Sequence, residues 1–316
     1  WSSDVCSSDL AAMIDKLEFL IALAREKHFG RAAEACGVSQ PTLSSAIRQL
    51  EDVLGAPLVE RGSRFIGFTV EGERALEWAR RIVGDARSLR DDLASMRKGL
   101  TGHLRLAVIP TALPMVSRLT TAFTDRWPEV KMSVFSRNST EALRLLENLE
   151  IDACLTYLDN EPLGKVSVTP LYQERYHLVT GAEGPLRAAL AGRSSITWRE
   201  VGRIPLCLLS PDMQNRRIID HLLAEVGMTA EAKLESNSIM VLAAHVRTGR
   251  WSSVMPRILA EALGLVGPSI AVVPIVEPEV AHTIGLVTTG RDLRAPLVEA
   301  LDAEARRLAP QLGDSV

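Results

Sequence analysis

Residues 29 to 51, FGRAAEACGVSQPTLSSAIRQLE, constrain this chain most tightly, because small, turn-forming and apolar residues occur where a helix-turn-helix needs them. Ala32 and Ala33 fall at the crossing of two helices, where larger side chains would push one helix off the other. Gly37 can take the left-handed conformation that ends the first helix. Ser39 can then N-cap a second helix, with Pro41 and Thr42 in its first turn, where a missing N–H costs little. Leu43, Ile47 and Leu50 recur at i, i+4 and i+7, so one face of that helix is buried. The opposite face, with Gln40, Thr42, Ser44, Ser45 and Arg48, is short and polar. Such a face offers hydrogen bonds to base edges in a major groove and a guanidinium to phosphate.

An ordinary helical hairpin with a solvated face would use similar residues, and the flanks argue against it. Upstream, Leu17, Leu20, Ile21 and Ala24 form an apolar stripe that lets a third helix close a small core. Downstream, PLVERGSRFIGFTVEG places Gly62 and Gly67 among β-formers, with Arg61 and Arg64 near a turn. This predicts a β-hairpin wing able to lay two guanidinium groups along phosphates. The candidate DNA-contacting residues are therefore Arg31, Ser39, Gln40, Pro41, Thr42, Ser44, Ser45, Arg48, Arg61 and Arg64. From Met13 to Val70 seven basic residues balance seven acidic ones, and the whole chain carries a net charge of −3. Contact with a polyanion must therefore depend on where the arginines lie, and one copy alone should bind weakly.

Residues 71 to 98 lack proline and carry Leu76, Ala79, Ile82, Val83, Ala86, Leu89, Leu93 and Met96 at mixed three- and four-residue steps. A long helix with an uncovered seam predicts pairing with a second copy, through Leu76, Ile82, Val83, Leu89 and Leu93. Packing on the chain's own N-terminal domain is the other use of such a stripe, and Trp78 could serve it. Gly99 and Gly102 then bracket a hinge over 99–102.

From His103 the pattern alternates. LRLAVI, VKMSVFS, DACLTYL, IPLCLLS, SVMP and AVVPIV read as strands, and TALPMVSRLTTAFTDRW, STEALRLLENLE, NRRIIDHLLAEVG and SIMVLAAHVRTG read as helices. Alternation of this kind predicts an α/β domain with a largely parallel sheet. Ligands of such folds bind beyond the carboxyl ends of strands, against helix N-termini. That rule selects Thr111; Asn138, Ser139 and Thr140; Gln214 and Asn215; and Asn237 and Ser238 as candidate effector-binding residues. Their hydroxyls, amides and neighbouring backbone N–H groups suit a small anion or carboxylate, although helix capping draws on the same residue types.

The string SQPTLSSAIRQLEDVLGAPLVERG followed by FTVEGE makes residues 13 to about 98 resemble the winged helix-turn-helix and linker helix of LysR-type transcriptional regulators. A more diffuse similarity extends over the rest of the chain. The resemblance implies a mixed α+β and α/β fold: an N-terminal winged helix-turn-helix (13–70), a linker and dimerisation helix (71–98) and the hinge. A two-lobed α/β effector domain (103–310) resembling periplasmic binding proteins follows, with a tail over 311–316. Lobe I would take about 103–165 and 280–310, and lobe II about 166–279. Met13 followed by IDKLEFL looks like the start of such a chain, whereas WSSDVCSSDL has an internal near-repeat and no amphipathic period. Residues 1–12 are accordingly expected to be a non-native, unstructured extension. The implied partners are operator DNA, a small-molecule effector, a homodimer or homotetramer and RNA polymerase, in the bacterial cytoplasm and away from membranes. LTYLDNEPLG, SPDMQNRRIID and HVRTGRWSSVMP look like strings of regulators near formate dehydrogenase genes, a hint of formate metabolism. One departure stands out: where the family has a Gly-x-Gly turn, Gly249 and Arg250 are followed by Trp251, which should alter the local backbone and the pocket shape.

Other classes fit less well. Cys6, Cys36, Cys154 and Cys207 are far apart without CxxC or Cys/His spacing, so a metal site or disulfide framework is not expected, and Cys36, Cys154 and Cys207 read as core residues. A thiol-based redox sensor of the same fold is the alternative. The six histidines are scattered, and GxSxG, P-loop and GxGxxG motifs do not occur, so neither an enzyme nor a bound cofactor is expected. A solute-binding protein would lack the winged motif, and a molybdate-sensing regulator would join it to a different effector module.

Overall fold

The computed structural model describes residues 5–61, 65–181, 190, 192–267, 269–290 and 294–313. The chain forms two compact units that meet in sequence at Gly99 and Leu100.

The first unit opens with helix α1 (Val5–Glu26), followed by α2 (Phe29–Ala35), α3 (Gln40–Leu54), the hairpin β1 (Val59–Arg61) and β2 (Phe65–Phe68), and the long helix α4 (Val70–Lys98). The expectation that residues 1–12 lack structure is corrected for 5–12, which extend α1; residues 1–4 lie outside the described residues. No proline or glycine interrupts 5–12, and a helix already nucleated by the amphipathic turns after Met13 propagates cheaply into such a segment. Leu20, Leu23, Ala32, Leu43, Ile47, Leu50 and Leu58 close the core. Gly37 adopts φ 68°, as the turn requires, and Gly55 ends α3 with the same φ. The first turn of α4 passes so close to the chain that a Cβ on Gly72 would sit 1.9 Å from the Leu58 carbonyl oxygen.

The seam expected along α4 divides in two. Leu76, Ala79 and Val83 are buried in the core of their own DNA-binding unit, so Leu76 and Val83 are not free for a second copy. One stripe serves two surfaces because its mixed three- and four-residue steps wander round the helix: Ile82 points about 100° away from its buried neighbour Val83, and farther along Arg87 pairs with Glu18 of α1 at 2.9 Å. Ile82, Leu89, Leu93 and Met96 remain exposed, as does Trp78, which carries the Arg81 guanidinium over its ring instead of packing inward.

The second unit begins with β3 (Gly102–Val108), so the strand starts inside the expected hinge; Gly99 and Gly102 both have positive φ, 74° and 134°. A 3-10 turn (Pro110–Ala112), α5 (Leu113–Arg126), β4 (Val130–Ser136), α6 (Ser139–Glu147), β5 (Ala153–Tyr157), β6 (Val166–Glu174) and β7 (Tyr176–Gly181) follow. Then come β8 (Ile196–Thr197), α7 (Trp198–Val201), β9 (Leu206–Leu209), α8 (Gln214–Glu225), β10 (Ala232–Ser236) and α9 (Ile239–Arg247). The chain ends with β11 (Ser252–Pro256), α10 (Arg257–Ala262), β12 (Ile270–Val276), β13 (His282–Thr289) and α11 (Pro296–Gly313), which runs past the expected domain end at 310.

These strands build two sheets, ordered β4-β3-β5-β13-β6 and β10-β9-β11-β7-β12-β8. Both are mixed, which corrects the expectation of a largely parallel sheet: β13 pairs antiparallel with β5 and β6, and β7 pairs antiparallel with β11 and β12. A chain that leaves one sheet for another and later returns puts outgoing and incoming strands side by side in opposite directions. The lobe boundary also moves. Residues 166–174 pair along their whole length with β13, so β6 belongs to the first sheet and the crossover lies at Arg175. Trp251 is half-buried against the core of the second sheet and meets His245 edge-on. Beside it Gly249 has φ 76° and crosses Gly181 so closely that a Cβ there would lie 2.3 Å from the Gly249 Cα.

Candidate functional site

On the DNA-binding unit, helix α3 starts as its sequence requires: Ser39 Oγ accepts from the Thr42 N–H at 3.3 Å and bonds the Thr42 hydroxyl at 2.8 Å. Leu43, Ile47 and Leu50 are fully buried, which leaves Gln40, Pro41, Thr42, Ser45 and Arg48 exposed and Ser44 half-exposed on the opposite face. Arg31 is exposed but bonded to the Glu26 carbonyl at 2.7 Å, at the end of α1. Ser39 and Thr42 are likewise occupied as caps, so Gln40, Ser44, Ser45 and Arg48 form the uncommitted part of the face. Glu51, counted in the sequence only as an opposing charge, holds the wing against α3 by accepting from the Leu58 and Val59 N–H groups at 2.9 and 3.1 Å. Arg64 and Gly62 lie outside the described residues.

In the second unit five of the eight candidate effector residues border one small hollow: Thr111, Asn138, Ser139, Gln214 and Asn215. The turn after β3, the start of α6 and the start of α8 deliver them, and Ile109, Pro110, Leu209 and Met213 supply apolar wall. Thr140 is exposed on α6, and neither it nor Asn237 and Ser238 at the start of α9 lines this hollow. Rotation along a helix explains Thr140, since consecutive residues point about 100° apart. Asn138 takes the capping part expected of it. It caps α6 through the Glu141 N–H at 2.8 Å, and its amide donates to Asp212 at 3.1 Å. Around the hollow Gln214 donates to the Asp159 carbonyl at 3.2 Å, and Arg217 binds Glu161 at 2.7 and 2.9 Å while reaching Ser139 at 3.4 Å.

Beneath the hollow lies a polar cluster. Glu174 is fully buried and accepts from Tyr157 at 2.8 Å and Tyr172 at 3.3 Å. The Tyr157 hydroxyl also lies 3.3 Å from Thr111 Oγ1 and 3.4 Å from Tyr176, and receives the Asn215 amide at 3.4 Å. Burial pushes the Glu174 carboxyl up to about 7, against the downward pull of hydroxyl donors from Tyr157, Tyr172 and Thr111. His282, opposite Glu174 on β13, is lowered by burial, although Asp159 at 3.5 Å opposes that.

Two family models match: the bacterial regulatory helix-turn-helix of the lysR family over residues 14–73, and the LysR substrate binding domain over 97–309. The chain belongs to the LysR family. It is a DNA-binding transcriptional regulator with an effector-binding domain. It is 28% identical over 297 residues to the DNA-binding transcriptional dual regulator OxyR of Escherichia coli K12, covering 93% of this chain and 95% of that one. A full-length OxyR variant from Pseudomonas aeruginosa, with one cysteine replaced by aspartate, superposes with a TM-score of 0.71 at 25% identity, over 93% of this chain and 94% of that one. CbnR in complex with its target DNA shares the fold at a TM-score of 0.57 and 22% identity, over 94% and 99% of the two chains.

Two of the three described thiols of this LysR-family chain are placed as core residues. Cys154 and Cys207 are buried on interior strands of different sheets, and burial pushes them up to about 12 and about 11. Cys36 is partly buried and also raised, chiefly by burial. A raised thiol carries less thiolate at neutral pH than a free cysteine. Among the described residues no helix is long and apolar enough to cross a membrane.

The residues that sequence reasoning missed are Tyr157, Glu174, Tyr176 and Arg217. Tyr157 was hidden inside the apolar run DACLTYL. Tyr172, Glu174 and Tyr176 carried a usable signal, since spacing by two in an extended chain puts them on one face and a lone carboxylate between tyrosines needs their hydroxyls.

Proposed function

We propose that this LysR-family regulator reads operator DNA through Gln40, Ser44, Ser45 and Arg48 of α3, with the wing arginines Arg61 and Arg64 on phosphates. It pairs with a second copy through Ile82, Leu89 and Leu93, and it responds to a small effector held in the hollow. The observation that carries the effector site is the meeting of Thr111, Asn138, Ser139, Gln214 and Asn215, drawn from three separate helix starts, around one space. Helix capping alone gives no reason for them to converge. Donors of this kind around so small a hollow suit a compact carboxylate or oxyanion, formate included. The chain acts where its DNA is, in the bacterial cytoplasm.

Peroxide sensing is the second reading, favoured by the similarity to OxyR. The burial of Cys154 and Cys207 weighs against a thiol mechanism here. A thermal-shift screen of the full chain with formate, acetate, larger carboxylates, phosphate and hydrogen peroxide separates the two, because ligand bound to the native state raises the melting temperature. A carboxylate that stabilises wild type but not Thr111→Val, and that changes the operator footprint, supports the effector reading. Stabilisation unaffected by Thr111→Val, or a footprint changed only by peroxide together with oxidation of a cysteine detected by mass spectrometry, overturns it.

A further inference from the structure

A hydroxyl has one proton to give, and beneath the hollow Tyr157 and Tyr172 both give theirs to one carboxylate, with Thr111 Oγ1 bonded to Tyr157 behind them. Ionised Glu174 draws the hydrogens of Tyr157 and Tyr172 inward, which leaves the Tyr157 oxygen to accept the hydrogen of Thr111. Thr111 Oγ1 then faces the hollow with lone pairs alone, which repel an anion. A protonated Glu174 is itself a donor and needs fewer. Its O–H can bond the Tyr157 oxygen, and the Thr111 hydrogen becomes free to turn outward.

We propose that Glu174 is a positioning residue that sets whether Thr111 meets the effector as a donor or as an acceptor, so that an anionic effector binds together with one proton taken from solvent. The proposal rests on the reading of the hollow as the effector site. The groups facing Glu174 come from every element packed around it: Tyr157 on β5, Tyr172 on its own strand, Tyr176 on β7, His282 on β13, and the uncharged Thr111 and Asn215 from the 3-10 turn and α8. Burial keeps His282 neutral and the tyrosines protonated near pH 7, and Asp159 bears on Tyr176 and His282. Glu174 is therefore the group of this cluster whose charge changes in that range. Two neighbouring arginines do not relieve the need for a proton, because Arg217 is already paired with Glu161 and Arg216 with Asp220 and Glu235.

The test is titration calorimetry of full-length protein with acetate, which is fully ionised at both pH 6 and pH 8. A group half-protonated near pH 7 is protonated in about ten of eleven molecules at pH 6 and one of eleven at pH 8, so affinity should fall about tenfold between them. Glu174→Gln, whose amide can donate as the protonated acid does, should bind at pH 8 as wild type binds at pH 6 and lose the pH dependence. Should that variant fold poorly, wild type in two buffers of different ionisation enthalpy gives the same answer: uptake near 0.9 proton per acetate at pH 8 is expected. Affinity in wild type that does not change with pH, or binding without proton uptake, overturns the coupling while leaving the effector site in place. Acetate that binds no form of the protein, or binds Thr111→Val as well as wild type, overturns the effector reading and the coupling with it.

Discussion

Glu174 makes the stability of the effector unit depend on pH even without a ligand. Its folded-state pKa is raised to about 7 by burial, against roughly 4.3 for a glutamate in an unfolded chain. For an acid shifted upward, the native state binds the extra proton. The stabilisation is fully present below the unfolded value and is lost as pH rises through the folded one, between about pH 4.5 and 7. A difference of between two and three units at 1.36 kcal/mol each gives about 3 kcal/mol. Glu174 is fully buried, so solvent screening takes little from this figure. Glu174→Gln removes the titration. Hydrogen–deuterium exchange of peptides spanning 166–174 and 282–289 reads the local stability of the two crossover strands, and comparing variant with wild type at each pH cancels the intrinsic rate. Protection of wild type relative to the variant should fall about a hundredfold from pH 5 to pH 8. Parallel profiles for the two proteins would show that Glu174 stays ionised throughout and would refute the reasoning.

Three further perturbations act elsewhere. Arg48→Ala should weaken binding to operator and unrelated duplex alike and reduce the slope of log affinity against log salt by about 0.9, whereas Gln40→Ala should change base preference; fluorescence anisotropy over a salt series distinguishes them. Gly72→Ala forces a Cβ into the Leu58 carbonyl, 1.9 Å away on the present backbone, and should cost upward of about 3 kcal/mol in denaturant unfolding, well above the ordinary cost of a surface substitution. Leu89→Glu with Leu93→Glu should yield smaller species in sedimentation while the melting temperature of the DNA-binding unit holds; Leu76→Glu should instead unfold that unit, because it buries an unpaired charge.

Local chemistry was enough for the parts of the fold that depend on neighbours in sequence. The crossing at Ala32 and Ala33, the turn at Gly37, the cap at Ser39 and the buried face of Leu43, Ile47 and Leu50 are each decided within a few residues, and the structure has them as the sequence implies. The wing, the long helix α4 and the alternation after residue 103 were legible for the same reason, through period and turn residues. So was the choice of Thr111, Asn138, Ser139, Gln214 and Asn215, since strand ends and helix starts can be located from the pattern alone.

Tertiary structure decided whatever depends on which elements meet. The stripe of α4 looks continuous in sequence, and only the packing of its own unit determines which face is covered, at Leu76 and Val83, and which is not, at Ile82, Leu89 and Leu93. Asn237 and Ser238 open a helix in the same manner as Gln214 and Asn215, yet strand order sends α9 away from the hollow and α8 to it. Glu174 takes one donor, Tyr172, from its own strand and another, Tyr157 at the end of β5, from elsewhere in the chain, and Tyr157 is bonded in turn to Thr111. A carboxylate is buried where distant hydroxyls can satisfy it, and that convergence is a property of the folded chain rather than of any segment.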